Sequence, residues 1–324
     1  MMLNTVFEFL DRHSSIILTT HHPADADGLG AEKVLSQIIG KKGKEVKIVN
    51  SGPVPENFRF LDPSNTIEVW NDVKETLPKE PGLLIVDTAD EYNIGDIKEF
   101  LPSAREVLVI DHHEPNPFSA FKGLIDSKAS STCELAVELA RAADVKITHE
   151  CALAAYAGIV YDTGFFSYSK TTERTFRAAL TLIESGVNPY VVYQELSENG
   201  STGSLLLQKA VLSTMEIHNN GRVAVQVLRK EDLESTGARF EDAENFINIP
   251  LKCKDIEVSV LVKENNEGQI RCSLRSKGKI NVSKIAQTQG GGGHVSAAGF
   301  RSKLGLDETI ANILSIISGE LGKL

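Results

Sequence analysis

Five of the eight histidines in this 324-residue chain fall in three short segments: His21 and His22, His112 and His113, and His294. The first two pairs stand among acids, in THHPADADGLG (20–30) and IDHHEPNPF (110–118), and Asp87 ends the apolar run LLIVD. Imidazole with carboxylate is the ligand set of a borderline divalent cation such as Mn2+, Fe2+, Co2+ or Zn2+. His21, Asp25, Asp27, Asp87, Asp111, His112 and His113 are more ligands than one ion uses, so two ions are the natural reading. Taken singly, these residues have blander explanations. An Asp before a helix is commonly an N-cap, which Asp27 can be for a helix starting at Gly28, and Asp87 at a strand end can accept backbone N–H bonds. Their coincidence is what points to chemistry.

The elements that must position them are short β-branched runs alternating with amphipathic stretches. SSIILTT (14–20), EVKIVN (45–50), GLLIVDT (82–88) and EVLVID (106–111) read as buried strands, and 28–40 and 131–143 as helices. That alternation predicts an α/β domain with a mostly parallel sheet covered on both faces. In such sheets ligands bind beyond the carboxyl ends of the strands, where the His and Asp residues fall. An apolar helix at 151–164 and a helix at 171–186 follow. Gly28-Leu29-Gly30 reads as close packing at a helix start, because no strand-following G-x-G-x-x-G or P-loop pattern is present.

Beyond Val187 the pattern changes. Asn188-Pro189 signals a turn, 205–221 reads as one helix, and 222–228, 256–264 and 269–276 read as strands, the last two joined by a turn at 265–268. A helix at 305–321 closes the chain. The predicted organisation is a catalytic domain at 1–189, a linker at 190–204 and a smaller α+β domain at 205–324. Four consecutive glycines, Gly290, Gly291, Gly292 and Gly293, precede His294. Such a run lets backbone N–H groups approach a phosphate, although a flexible loop explains glycines equally well.

Composition excludes several classes. With 41% apolar and 24% charged residues the chain is neither disordered nor fibrous. No run approaches the ~20 apolar residues of a membrane span, so no membrane partner is expected. Four cysteines without C-x-x-C spacing, and a start without a basic region, fit a reduced cytoplasmic protein. The net charge of −10 resides wholly in residues 1–189, while 268–306 holds seven basic residues and no acid. An acidic half suits cations, and a local basic segment suits a small anion. Long-range nucleic-acid binding, which needs an extended basic surface, is not expected.

H-x-x-x-D-x-D after the first strand, Asp87 after a later one, then D-H-H, then Y-D-T-G at a helix end, resemble the DHH phosphoesterase superfamily. GGGGHVSAAGF (290–300) resembles the DHHA1 domain that accompanies it. The likeness runs through essentially the whole chain, and its layout is similar to the oligoribonuclease/phosphoadenosine-phosphate phosphatase branch. That branch also holds cyclic-di-AMP and linear-dinucleotide phosphodiesterases. One departure is Pro23-Ala24 before the first Asp, where the family usually has Asn-Pro.

The resemblance implies one metal at His21, Asp25 and Asp87 and a second at Asp27, Asp87, His112 and Asp162, the working ions being most simply two Mn2+. It implies that Asp111 orients a ligand histidine and that His113 donates to a phosphoryl oxygen. Arg275, the four glycines and His294 would hold substrate, with the active site in a cleft between the domains. The expected activity is hydrolysis of short nucleotides: oligoribonucleotides, pApA, cyclic di-AMP or 3′-phosphoadenosine 5′-phosphate. Self-association into a homodimer stays open. Rival readings are inorganic pyrophosphatase or RecJ-type exonuclease chemistry on the same scaffold, and a non-catalytic nucleotide sensor.

Overall fold

The computed structural model describes residues 2–115 and 121–322, with the backbone alone at Met2 and His294. The chain forms two compact units, Met1–Asn199 and Gly200–Leu324. In the first, helix α1 (Met2–Arg12) leads into strand β1 (Ser15–Thr19), followed by α2 (Ala26–Lys41), β2 (Glu45–Asn50), β3 (Ile67–Val69), α3 (Trp70–Val73), β4 (Gly82–Val86), β5 (Glu106–Asp111) and β6 (Gly123–Ile125). Helices α4 (Thr132–Ala142), α5 (His149–Asp162), α6 (Glu173–Glu184) and α7 (Pro189–Ser197) complete it, so residues 190–197 continue as helix. The helix α1, which the sequence reading had not assigned, buries Val6, Phe9 and Leu10.

All six strands are parallel, in the order β3-β2-β1-β4-β5-β6. Alternation along each strand fills two cores, as predicted for a sheet covered on both faces. Ile16, Leu18, Leu84, Val86 and Ile110 pack one way, and Ile17, Leu83, Ile85 and Val109 the other. Each such burial contributes on the order of 1.5–3 kcal/mol. The chain order reverses direction between β1 and β4, so the crevice beyond their carboxyl ends is where this topology places a ligand.

Packing of α2, α4 and α5 against one another depends on glycine at close approaches. A Cβ at Gly30 would stand 2.5 Å from the Ala154 carbonyl oxygen, and one at Gly158 would stand 2.5 Å from Cys133 Sγ. Packing therefore accounts for Gly30, as the sequence reading held.

The second unit holds α8 (Thr202–Ser213), β7 (Glu216–His218), β8 (Val223–Leu228), α9 (Lys230–Thr236), β9 (Val258–Glu264), β10 (Ile270–Ser276), α10 (Val282–Thr288), β11 (Gly292–His294), β12 (Ala297–Ser302) and α11 (Leu306–Leu321). Its sheet order is β11-β12-β10-β9-β8-β7, antiparallel except for β8 with β9. The single helix expected over 205–221 is corrected: it ends at Ser213, and Glu216–His218 is a strand. Thr214 breaks it, since its Oγ1 donates to the Val211 and Val227 carbonyls and accepts the Val227 N–H. No helix among the described residues is long and apolar enough to cross a membrane.

Candidate metal centre and active site

Three strand ends and two helix ends converge on the sheet's carboxyl edge. His21 lies two residues past β1, Asp87 follows β4 directly, and Asp111 is the last residue of β5, with His112 and His113 next. Asp25 and Asp27 stand at the start of α2 and Asp162 at the end of α5. The cap of α2 is Asp25, not Asp27: its carboxylate accepts the Asp27 and Gly28 N–H groups at 2.9 and 3.1 Å.

Three overlapping groups of potential ligands form among the described residues: Asp87 with His112 and His113, and two more that bring in the remaining predicted ligands. His21, Asp25 and Asp87 make one, with His21 Nε2 3.5 Å from Asp25 Oδ1 and 3.4 Å from Asp87 Oδ2. Asp27, His112 and Asp162 make the other, with His112 Nε2 2.9 Å from Asp162 Oδ2 and 3.8 Å from Asp27 Oδ2. Asp87 reaches both, since its Oδ1 lies 3.5 Å from His112 Nε2. It does so from a left-handed backbone, φ +61°, that turns the carboxylate off the strand axis.

Asp27 and Asp87 are aimed by a feature the sequence reading missed. The N-terminus of α4 donates Thr132 N–H and Cys133 N–H to the two oxygens of Asp27, at 2.6 and 2.8 Å, and Thr132 Oγ1 donates to Asp87 Oδ1 at 2.9 Å. A helix N-terminus favours negative charge, so α4 offsets part of the cost of burying these acids. The available signal was Ser131-x-x-Glu134, a helix-start pattern, and Ser131 does cap α4 through the Glu134 N–H.

The electrostatics are those of a crowded acid cluster. Burial, then repulsion from Asp162, pushes Asp27 up to about 6. Burial and the Asp27 charge lift Asp87 well above the carboxylate range. Burial works against protonation of His21, but Asp25 and Asp87 outweigh it and raise the ring to about 11. His112 behaves alike, to about 10, through Asp162 and Asp27. Neither ring nitrogen of the buried His112 makes a hydrogen bond among the described residues, although carboxylates surround Nε2. An orphaned imidazole facing converging carboxylates is a donor set that fits divalent cations.

Asp111 differs from expectation in its partner. Its Oδ1 meets His113 Nδ1 at 2.7 Å and accepts the His113 N–H at 3.1 Å, so it orients His113 rather than the ligand-set His112. Burial would raise Asp111, but the His113 ring prevails and holds it below the usual range. Residues two apart at a strand end point the same way, which pairs 111 with 113 and sends 112 into the cluster.

In the second unit Arg275 is half-buried on β10, and His294 occupies the register position beside Ala297, the residue paired with Arg275. The side chain of His294 lies outside the described residues. Of the four glycines expected to bring several N–H groups to a phosphate, two spend theirs on the backbone. Gly290 and Gly291 donate theirs to Gln287 and Ala286, closing α10. Gly293 adopts φ +135° and, like Gly291, lies so near β12 that a Cβ would collide, whereas Gly292 has open space.

The fold and site together define a two-unit α/β protein with paired imidazole–carboxylate clusters at a strand-end crevice. Residues 15–159 match the DHH family, N-terminal domain, and residues 220–323 match the DHHA1 domain. The chain is 30% identical over 307 residues to the bifunctional oligoribonuclease and PAP phosphatase NrnA of Thermus thermophilus, covering 94% of this chain and 90% of that one. It is 28% identical over 322 residues to the cyclic-di-AMP phosphodiesterase PdeA of Listeria monocytogenes, covering 94% of this chain and 47% of that longer one. An exopolyphosphatase-related protein from Bacteroides fragilis shares the fold, with a TM-score of 0.89 at 24% identity over 99% of this chain and 96% of that one. This chain belongs to the DHH/DHHA1 family.

Proposed function

We propose that this chain is a metal-dependent phosphoesterase that hydrolyses short nucleotides, such as oligoribonucleotides, pApA, cyclic di-AMP or 3′-phosphoadenosine 5′-phosphate. The observation that carries the reading is the convergence of His21, Asp25, Asp27, Asp87, His112 and Asp162 on one sheet edge in a DHH/DHHA1 chain. Relatives at about this distance are named as oligoribonuclease, PAP phosphatase and cyclic-di-AMP phosphodiesterase.

His21, Asp25 and Asp87 would hold one divalent cation, and Asp27, Asp87, His112 and Asp162 a second, with Mn2+ favoured by the two imidazoles. Bound there, two such cations supply Lewis acidity and make water acidic enough to furnish a nucleophile near neutral pH. The chain's own residues do the rest. Asp87, fixed by Thr132, keeps the two ligand groups in register. His113, oriented by Asp111, donates to a non-bridging phosphoryl oxygen as charge develops there. Arg275, Gly292 and His294 of the second unit bind the substrate's other phosphate or its base. The four cysteines are all free thiols, which suits a reducing compartment such as the cytoplasm.

The test is hydrolysis of pApA by chelator-treated protein resupplied with one ion at a time. Activity is expected to vanish on chelation and to return better with Mn2+ than with Mg2+. Full activity in excess chelator, or restoration by Ca2+ alone, would overturn the reading.

A further inference from the structure

The acid-free basic segment contains more charge than substrate binding at Arg275 and His294 uses, and the sheet register shows where part of it goes. On β10, Ile270, Cys272 and Leu274 are buried, so Arg271, Ser273 and Arg275 take the opposite face. Arg271 pairs directly with Lys263 of β9 on one side and with Arg301 of β12 on the other. Three cations therefore occupy one cross-strand row about 10 Å wide, and Arg275 lies on the same face about 14 Å along the strand. Like charges directly opposed across strands are destabilising.

The row has no ion pair of its own among the described residues. None of Lys263, Arg271 and Arg301 has a carboxylate within 4 Å among the described residues, although Glu241 and Glu244 are near enough for Lys263 to feel. Two other cations of the segment have partners: Lys277 donates to the Cys253 and Lys254 carbonyls, and Lys279 meets Glu257 at 2.7 Å. Lys263 is only 5% exposed, and its ammonium lies 4.6 Å above the Phe240 ring, with the Arg271 guanidinium 5.5 Å from the same ring. Burial holds Lys263 below the usual lysine range; the Glu244 and Glu241 charges pull it back up and the Arg271 and Arg275 charges push it down. A buried ammonium opposite Arg271, with Arg301 next in the row and no carboxylate in ion-pair contact, is a place where an anion would be stabilised.

We propose that Lys263, Arg271 and Arg301 form an anion site that takes a backbone phosphate of a nucleotide chain, beyond the end held at Arg275. The assignment rests on the reading of this chain as a phosphoesterase of short nucleotides and specifies which lengths it favours. A substrate with several phosphates reaches both Arg275 and the cation row, whereas a dinucleotide engages only the first. A separate phosphate or nucleotide would satisfy the same chemistry, and the assay distinguishes the two sources.

The experiment compares wild type with Arg271→Glu, and with Arg271→Gln/Arg301→Gln as a second variant that places no acid in the row. Each is assayed in Mn2+ on pApA and on 5′-phosphorylated pentaadenylate. The KM for the pentanucleotide is expected to rise about tenfold in both variants, as for loss of a charge-assisted contact, while the KM for pApA moves less than twofold. Arg271→Glu, seated between two cations, is also expected to raise Tm by about 3 °C. Equal shifts on the two substrates, or no shift on the longer one, would overturn the proposal. So would inorganic phosphate altering pApA turnover in wild type but not in Arg271→Glu, because the ligand would then be a separate anion. If wild type cleaves neither substrate, the phosphoesterase reading itself fails. Anisotropy of labelled pentaadenylate on metal-free protein still reports the anion site, and equal affinity of wild type and variants there would dismiss it.

Discussion

Replacing Glu32 by glutamine is expected to stabilise the first unit by an amount that grows with pH. Glu32 lies on α2, wholly buried; its Oε2 accepts Asn50 Nδ2–H at 3.0 Å, and its Oε1 has no partner among the described residues. Burial lifts its pKa from an ordinary 4.5 to about 8, against the opposing pull of the Asn50 hydrogen bond. The unfolded chain releases this proton near pH 4.5, while the folded chain keeps it until about pH 8. Between those values the folded state binds the extra proton, so stability falls as pH rises through the window and levels off above it. The loss is about 3 kcal/mol at pH 7, about 1 kcal/mol at pH 5 and about 5 kcal/mol at pH 9.

Glutamine copies the protonated carboxyl in shape, retains an acceptor for Asn50, and leaves one buried atom unpartnered as the acid does. The unpaired-group penalty therefore cancels, and the titration alone is removed. Urea unfolding of wild type and Glu32→Gln in excess chelator at pH 5, 7 and 9 measures the difference, provided the m-value is unchanged. Turnover of pApA should stay within about twofold, because Glu32 makes no hydrogen bond to a ligand residue among the described residues. It bonds to Asn50, whose Oδ1 accepts the Thr20 N–H beside His21, and of the ligand residues only His21 acts on it directly, through its charge. A stability gap that fails to widen from pH 5 to pH 9 would refute the reasoning, as would a variant less stable than wild type at pH 7. Either result would mean that the carboxylate is charged and compensated.

Asp87→Asn should lower pApA turnover at least a hundredfold, since the shared carboxylate holds both ligand groups; asparagine is the fitting probe because it tolerates φ +61° where alanine adds strain, and retention of a tenth of the activity would contradict the role. Thr132→Val should weaken metal affinity by 10–100-fold, read by Mn2+ titration of activity, while the Asp27 bonds to the α4 backbone persist; unchanged affinity would show that the hydroxyl does not aim Asp87. Arg275→Ala and His294→Ala should raise the KM for pApA by about 10–100-fold and leave bis-p-nitrophenyl phosphate nearly untouched. Equal loss on both substrates would assign those residues to the fold rather than to binding.

The site was legible because parallel sheets turn sequence position into spatial position: a residue just past a buried β-branched run must stand at the carboxyl edge. His21, Asp87, Asp111 and His112 are of that kind. Asp162 is not, since it ends a helix, and only the family resemblance assigned it. Invisible in sequence was which histidine Asp111 would hold, because that depends on the side-chain alternation continuing past the end of β5. Thr132 was hidden for a related reason. Its contacts are to Asp27 and Asp87, far away in the chain, and its local pattern explains it fully as the start of a helix.

The second unit was less legible because its sheet is mostly antiparallel, and register there comes from turns. The turn at 265–268 was read from sequence, and a hairpin centred on Glu267 requires Lys263 to face Arg271 and Ser259 to face Arg275, as they do. Half of the cation row therefore followed from the turn alone. The other half did not, because β12 returns to β10 only after α10 and β11, and nothing local fixes Arg301 opposite Arg271. The surroundings of the glycine run were hidden for the same reason. Gly291 and Gly293 lie close against β12, a strand too rich in alanine and glycine to declare itself by β-propensity, so sequence alone did not show how much of the run answers to the backbone beside it.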